Sequence, residues 1–416
     1  MASIGWIDFS TNDRNRVGSV LDLLLPEGMV DELGMGTIRD AIANQLFPGI
    51  STIQRRAKYF FIIPYILFDY QAAKPSQRRG KSPSKFLEDK EYEIMWALAE
   101  KYNYEEGNGV IGITKRKPDK IVRRPSAIYW NGLYTYHFID TQGLAAESFL
   151  KQSVNPTMES LLSSVQQGDD TSGDDADAEH ENMFKIKVAP KTNWNDNLTL
   201  DLQKEEAEFF RDRIISIAKK KLIAVLLADE KLWKTSIQAK DFMQFAKAAI
   251  SLPISEALKS MLILAHDFSE LMFGAHLAYN CQLHHKVFSS DYFDENWSAW
   301  LNDIQDNMLD YENFNPDILF VYATTTRATT VQFVKEWWKQ TQNNFPDLKK
   351  RDTLIEEQEG MVKGGKARLR WNKTEDVKEY KWLGLQHFDY RFSQARTILK
   401  DIKTGVANQG AASKIQ

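Results

Sequence analysis

The densest group of residues that could bind a ligand is a run of arginines and lysines between Arg55 and Arg124. This stretch holds sixteen basic and nine acidic residues, an excess of seven positive charges in a chain whose formal net charge is -4. Several of these cations fall in loops that contain Gly and Pro, and loops lie on protein surfaces. Because exposed lysines and arginines neutralise phosphates, the pattern predicts contact with a nucleic-acid backbone.

A second basic stretch begins at Lys363 and is interleaved with Trp371 and Trp382. Single-strand binding uses this combination, with charge for the backbone and rings for base stacking. A solvated face is the alternative for each of the two stretches, and the tryptophans of the second would then belong to the core. The predicted nucleic-acid-binding residues of the two stretches are Arg55, Arg56, Lys58, Arg78, Arg79, Lys115, Arg116, Lys117, Arg123, Arg124, Lys363, Lys366, Arg368 and Arg370.

The segment from Gly360 to Ala367 comes nearest to a known catalytic motif. It matches the G-x-x-x-x-G-K pattern of phosphate-binding loops, but Ala367 stands where Ser or Thr should coordinate magnesium. The residues before it, 353–359, are charged and helical in pattern, whereas a phosphate-binding loop follows a buried strand. We therefore interpret the segment as a flexible basic turn whose glycines allow close approach to a phosphate.

Metal and nucleophile signatures are incomplete. His266 and Glu270 are four residues apart on a predicted helix, but no second Glu-x-x-His, no H-E-x-x-H, no C-x-x-C pair and no G-x-S-x-G occurs. The single cysteine, Cys281, excludes a disulfide scaffold and is predicted to be a buried thiol. We predict no catalytic residues, no metal and no cofactor, and keep a magnesium-dependent nuclease as the enzymatic alternative.

The elements that must position these residues are helices. Apolar residues recur at helical spacing in most segments, so the sequence predicts a mainly α fold with little β structure. Residues 37–47, a Pro-Gly turn and a helix from Thr52 to about Asp69 resemble a helix-turn-helix, which would present Gln54, Arg55 and Lys58 to a groove. Helix pairs of this kind are also common in proteins that do not bind DNA.

Composition along the chain predicts two helical domains. Residues 166–182 carry seven acidic residues without any Lys, Arg or large apolar residue, which is typical of a disordered linker. The predicted division is an N-terminal domain at 1–165 with basic loops, the linker at 166–182, a C-terminal domain at 183–405 and a frayed tail at 406–416. The linker is expected to be a solvated spacer, or alternatively an acidic segment that covers a basic face.

Several stretches resemble an uncharacterised bacterial family, a domain of unknown function. They are Gly5–Ser10, Val30–Asp40, Leu46–Arg56, Arg124–Leu133, Lys363–Leu369 and Phe388–Arg391. The resemblance implies a gene cluster tied to defence against phage, beside helicases and methyltransferases, and therefore an accessory subunit of a DNA-targeting system. It brings no catalytic residues with it.

Together these observations predict a non-enzymatic nucleic-acid-binding or adaptor subunit of an anti-phage defence system. Its expected partners are nucleic acid, most plausibly DNA, and other proteins of that system. A protein–protein scaffold without nucleic-acid contact is the main alternative. No apolar run reaches the length of a membrane span and Met1–Asp22 lacks the pattern of a signal peptide, so a cytoplasmic protein without membrane contact is expected.

Overall fold

A computed structural model describes residues 31–152, 186–370 and 382–407. Within these ranges no strand forms, and β pairing is limited to an isolated antiparallel bridge between Ile139 and Ile186. The prediction of a mainly α fold with little β structure is therefore confirmed. The α-helices, numbered in chain order, are α1 Gly36–Leu46, α2 Tyr59–Ala72, α3 Pro75–Arg78, α4 Pro83–Lys101, α5 Pro125–Thr135, α6 Ala146–Gln152, α7 Lys204–Ile217, α8 Leu222–Ala228, α9 Glu230–Gln238, α10 Phe242–Ile250, α11 Glu256–Leu283, α12 Asp294–Asp306, α13 Pro316–Tyr322, α14 Ala328–Gln342, α15 Leu348–Lys363 and α16 Phe392–Ala407.

Side-chain caps fix where several helices begin. The Ser82 hydroxyl accepts a hydrogen bond from the Lys85 amide ahead of α4, and Asp241 does the same for the Gln244 amide ahead of α10. Such caps satisfy amide groups that lack a partner inside the first turn. A π-helical turn, His284–Phe288, follows α11, and 3₁₀ turns follow α12 and α15.

The segment from Asp201 to Ala228, which contains a cluster of three lysines at 219–221, forms two helices. Helix α7 ends at Ile217, and α8 begins at Leu222 after the lysine cluster. Helix α7 buries one face, whereas five of the seven residues of α8 are buried. Helix α8 is apolar on nearly all sides and must be surrounded by protein, whereas α7 has one solvated face. The two helices therefore need different surroundings.

The helix-turn-helix interpretation is wrong in its second helix. Helix α2 begins at Tyr59 rather than Thr52, so Gln54 and Arg55 lie in the irregular segment before it. Gln54 is only 2% exposed and Lys58 only 5% exposed, so neither side chain projects from the surface as a residue of a recognition helix must. The apolar run from Tyr59 to Leu67 is buried along its whole length, and this tertiary burial sets the start of the helix.

The chain divides into two compact units, each made of two chain segments. Unit 1 combines Met1–Ala43 with Asp241–Tyr390, and unit 2 combines Asn44–Lys240 with Arg391–Gln416. These bounds differ from the predicted domain boundaries, which remain a prediction. The predicted linker at 166–182 lies outside the described residues, as do residues 408–416 of the predicted tail.

Aromatic clusters form the centre of each unit. In unit 2 the Phe60 ring packs edge-on against Tyr129 at 5.0 Å and lies 4.6 Å from Phe210, measured between ring centroids. In unit 1 Trp337 is fully buried, lies 4.7 Å from Phe345, and donates its indole N–H to the Leu271 carbonyl at 2.9 Å. The high aromatic content of the sequence therefore serves cores, as large apolar rings usually do.

Candidate nucleic-acid interface

A cleft of about 1040 Å³ opens on unit 2. Its walls come from residues 53–56, from the glycine-rich loop 106–114 and from one face of α16. Three of the predicted nucleic-acid-binding residues, Arg55, Arg56 and Arg123, line this cleft. The fold thus brings together parts of the first basic stretch that are separated by almost seventy positions in the sequence.

The glycine-rich loop approaches the other wall closely. A Cβ atom at Gly109 would lie 2.6 Å from Cγ of Arg56, and the φ angle of Gly109 is +87°, a region that L side chains rarely adopt. Only glycine meets both demands at this position. The Asn108 side chain accepts a hydrogen bond from the Val110 amide at 2.9 Å, and Tyr59 accepts one from the Ile111 amide, so the loop is anchored to the fold.

Helix α16 supplies the opposite wall because it is amphipathic. Its apolar positions, including Ala395, Ile398 and Ile402, are fully buried. The cleft-lining residues on its other face are Ser393, Gln394, Thr397, Lys400, Asp401, Thr404 and Gly405. Most of them recur at three- and four-residue spacing, as residues on one helix face do.

Arg56 is fixed by carboxylates in the cleft wall. Its Nε lies 3.0 and 2.9 Å from the two carboxylate oxygens of Asp401, and its Nη2 lies 2.9 Å from Asp201. Its Nη1 also donates to the Asn108 carbonyl at 3.1 Å. Burial raises the pKa of Asp401, and the Arg56 guanidinium opposes that shift. Arg56 therefore connects the parts of the cleft wall, and the carboxylates of Asp201 and Asp401 already balance its positive charge.

Three other cations of the cleft have no such partners. Arg55, Arg123 and Lys400 are exposed, and no hydrogen bond or ion pair of their side chains occurs with the described residues. The Arg55 backbone is nevertheless held, since its amide donates to the Tyr129 hydroxyl at 2.8 Å. Asp201 and Asp401 are bound to Arg56, so among the described residues the concave surface carries three unpaired positive groups and one further acid, Glu106. This arrangement suits an anion with several charges.

The basic loop that continues from the cleft carries cations over aromatic rings. The Arg116 guanidinium lies 4.7 Å from the Tyr104 ring centroid, and the Lys117 ammonium lies 5.8 Å from that of Trp96. Lys115, Arg116 and Lys117 are all exposed. Rings hold the stems of these side chains near the surface and leave their remaining N–H groups to solvent or a ligand.

Other predicted residues of unit 2 are occupied within the protein. Lys58 is buried and its ammonium lies 2.7 Å from Glu206, so we do not include it in the proposed interface. Arg78 donates to the carbonyls of Tyr70 and Gln71, both at 3.0 Å. Arg124 lies 2.9 Å from the buried Glu91. Arg79 is exposed, but it does not line the cleft.

The predicted residues of the second stretch belong to unit 1. Lys363 is half-buried and its ammonium lies 3.5 Å from the buried Glu32. The turn itself is held by Glu359, whose carboxylate accepts from the backbone amides of Arg368 at 2.8 Å and Leu369 at 3.0 Å. Lys366 and Arg370 are exposed. Since helix α15 leads directly into this turn, the context of a phosphate-binding loop after a strand is not present here.

Sequence reasoning missed the contribution of α16 to the cleft. Lys400, Thr397 and Asp401 were not among the predicted binding residues, because they are some 280 positions beyond Arg123. A signal was available in the polar stripe of Ser393, Thr397, Lys400 and Thr404, whose three- and four-residue spacing places these side chains on one helix face. Only tertiary structure shows that this stripe faces the loop of residues 106–114.

The remaining site predictions concern cysteine, metals and membranes. Cys281 is buried, and burial raises the pKa of its thiol to about 12. In the described part of the chain, no group of three or more His, Cys, Asp or Glu side chains is arranged to hold a metal ion. Among the described helices, none combines the length and the apolar composition that a bilayer crossing requires.

The described fold is mainly helical, and its candidate site is a basic cleft built from loops and one helix face. Residues 1–295 match the model of a family of unknown function, DUF6361, so the chain belongs to that family. The resemblance to a family of unknown function is thereby confirmed, although two of the resembling stretches, beginning at Lys363 and Phe388, lie beyond the matched residues. Comparison with curated proteins and with solved structures found no match.

Proposed function

We propose that this protein is a non-enzymatic nucleic-acid-binding subunit whose cleft in unit 2 holds the phosphate backbone. The observation that carries this proposal is the convergence of Arg55, Arg123 and Lys400, all exposed and unpaired among the described residues, on one concave surface. A cation without a carboxylate partner breaks no ion pair when it binds a phosphate. Its binding also releases the counterions condensed on the nucleic acid, which favours association.

The exposed loop of Lys115, Arg116 and Lys117 extends this surface. Residue 114 lines the cleft and the three cations follow it directly in the chain. A backbone that enters the cleft therefore has further positive groups within a few residues. Cations stacked on Tyr104 and Trp96 lose little freedom on binding, which favours contact with a charged strand.

The test is binding of short single-stranded and duplex DNA and of RNA at about 50 and 200 mM salt. We expect affinity to fall with salt, and replacing the three cleft cations by alanine to reduce the slope of log K against log salt by about 2 for a single strand. Charge reversal, Arg55→Glu with Arg123→Glu, is expected to weaken binding by roughly tenfold to a hundredfold, or about 1.4–2.8 kcal/mol.

The matched control is Lys231→Glu with Lys234→Glu on α9. It makes the same charge change on exposed residues of unit 2 that do not line the cleft. Equal weakening by both double variants would mean that only net charge matters, which contradicts a specific cleft. Salt-insensitive binding, or none to any nucleic acid, would remove the proposal.

The resemblance described above supports a more specific setting for this function. We place the protein in the cytoplasm of a bacterium, in a system that defends against phage, with DNA and other proteins of that system as partners. This setting predicts that deletion of the gene lowers protection in a phage plaque assay. It also predicts that the Arg55→Glu, Arg123→Glu variant fails to restore protection.

One observation favours a scaffold as the second candidate function. On the short helix α13, Ile318, Val321 and Tyr322 are 42%, 71% and 37% exposed. Neighbouring exposed apolar side chains of this kind mark protein contact surfaces. A scaffold predicts concentration-dependent association in light scattering that Ile318→Glu with Val321→Glu abolishes, whereas a chain that is monomeric throughout and stable without a partner would oppose it.

A further inference from the structure

Two glutamine side chains in the cleft have an acceptor without a partner. Gln54 and Gln394 both line the cleft. In each, Oε1 is buried and accepts no hydrogen bond from the described residues. Buried polar atoms in folded proteins are almost always hydrogen-bonded, so two orphaned acceptors in one cleft indicate that something else supplies the donors.

The surroundings of Gln54 fix which end of its amide is available. Its Nε2 donates to the Gly49 carbonyl at 3.1 Å, and the side chain is almost fully buried. Oε1 therefore remains an acceptor for a donor from outside the protein. Gln394 lies on α16, one position from Ser393 and three from Thr397, which also line the cleft.

The cleft thus offers two kinds of chemistry. Arg55, Arg123 and Lys400 attract negative charge, whereas the glutamine oxygens require N–H or O–H donors. A nucleotide carries both complements, since its phosphate is an anion and its base presents N–H groups that glutamine side chains recognise. The volume of about 1040 Å³ lies at the upper end of the range for small-molecule sites, so it accommodates such a unit.

We infer that the cleft binds an unpaired nucleotide, with the phosphate on the cations and the base N–H groups on Oε1 of Gln54 and Gln394. This inference rests on the proposed function and deepens it by naming the form of nucleic acid. Base pairing occupies the inner N–H groups of the Watson–Crick edge and leaves only the outer N–H of each amino group, at the floor of a groove, so an unpaired base offers more donors and can enter a cleft. The nucleotide can come from a single strand or from a free mononucleotide, which share this chemistry.

The deciding experiment compares two strands of equal length and charge. One is a single strand of about twelve deoxycytidines, and the other is an abasic strand with the same number of phosphates. Binding is measured by fluorescence anisotropy at fixed salt. We expect the base-containing strand to bind about tenfold more tightly, since each hydrogen bond to a base contributes roughly a two- to tenfold change.

Gln394→Met separates base recognition from phosphate contact. Methionine has a similar shape and removes an acceptor that the free protein leaves unsatisfied, so the variant should unfold at the same or a higher temperature. The variant should nevertheless lower the ratio of the affinities for the deoxycytidine strand and the abasic strand by about threefold or more. The matched control is Gln238→Met, an exposed glutamine of unit 2 outside the cleft, which should change neither quantity.

The outcomes distinguish this inference from the proposed function. Equal, salt-sensitive affinity for the deoxycytidine and abasic strands overturns the inference and leaves backbone binding intact. Absence of binding to any strand overturns the proposed function. If cytidine monophosphate nevertheless binds and Gln394→Met weakens that binding, the natural ligand of the cleft is a free nucleotide. Binding of the strand with weak competition by the mononucleotide identifies the single strand.

Discussion

The cleft of unit 2 and the basic turn of unit 1 are both rich in lysine and arginine, yet their cations serve different purposes. In the cleft, Arg56 binds Asp201 and Asp401, whereas Arg55 and Arg123 have no ion pair with any described residue and line the same concave surface. In the turn, Lys363 faces the buried Glu32, and the backbone is held by the buried Glu359. Local charge density in the sequence is similar, whereas the availability of that charge differs.

The comparison shows that the position of carboxylates decides what a basic stretch can bind. A buried acid that accepts hydrogen bonds from a basic segment fixes the backbone of that segment, and removing the acid leaves those donors without partners. A surface cation that no acid reaches is free for a ligand. The two regions can therefore be separated by experiments that break the protein in one case and its binding in the other.

The largest effect is expected from Glu359→Leu in the basic turn. Glu359 is fully buried and accepts hydrogen bonds from the Tyr279 hydroxyl at 2.9 Å and from the amides of Arg368 and Leu369. Its removal leaves three buried donors unsatisfied, so the free energy of unfolding should fall by about 3–5 kcal/mol. Urea denaturation followed by circular dichroism measures this change.

Glu359→Gln sharpens the same prediction. The amide keeps one acceptor oxygen, so the loss should be smaller than that of Glu359→Leu. A Leu variant as stable as the wild type would mean that the turn is not held by this carboxylate. The basic residues around it would then be as available as those of the cleft.

The second largest effect is a dependence of stability on pH through Glu91, the partner of Arg124. Burial raises the pKa of Glu91 from 4.5 to about 7, despite hydrogen bonds from the Ser126 amide and the charge of Arg124. A carboxyl whose pKa is raised on folding contributes stability that is present below pH 4.5 and is lost as pH rises to about 7. The loss amounts to about 3 kcal/mol over this window.

Unfolding experiments in urea at several pH values between 5 and 7.5 test this prediction. The free energy of unfolding of Glu91→Gln should depend less steeply on pH than that of the wild type, by about 1.4 kcal/mol per pH unit. Parallel curves for the two proteins would contradict a raised pKa at Glu91. In that case Arg124 would be bound by a fully charged carboxylate at every pH of the series.

The helices were predictable from sequence more readily than the site. Apolar periodicity placed the start of α1 within one residue, because α1 buries one face of a regular helix. The start of α2 was missed by seven residues, because tertiary burial of the run after Lys58, and not a local pattern, sets where this helix begins. Short helices such as α13 lack enough residues for a periodic pattern.

The site was only partly predictable, because neighbouring residues have opposite fates. In the doublets Arg55–Arg56 and Arg123–Arg124 the sequence gives the two arginines equal weight, yet one of each is exposed and the other is bound to an acid. The acids that bind Arg56 are Asp201 and Asp401, 145 and 345 positions away, and no local pattern connects them to it. Lys400 became part of the site by the same long-range packing.

The smallest effect, and the most discriminating, is expected from exchanging Arg55 and Arg56 separately for alanine. Arg56→Ala leaves the half-buried Asp401 with only the Ala57 amide as a close donor, so stability should fall by about 2 kcal/mol. Arg55→Ala removes an exposed side chain without an ion pair, so stability should change by less than about 0.5 kcal/mol. Its nucleic-acid affinity should instead fall about threefold to tenfold, through loss of one phosphate contact. The opposite result would be an unchanged affinity of Arg55→Ala at low salt and a loss of affinity in Arg56→Ala larger than its loss of stability explains. The ion-paired Arg56, and not the exposed Arg55, would then contact the ligand. The distinction between structural and available cations would fail at this pair of neighbouring arginines.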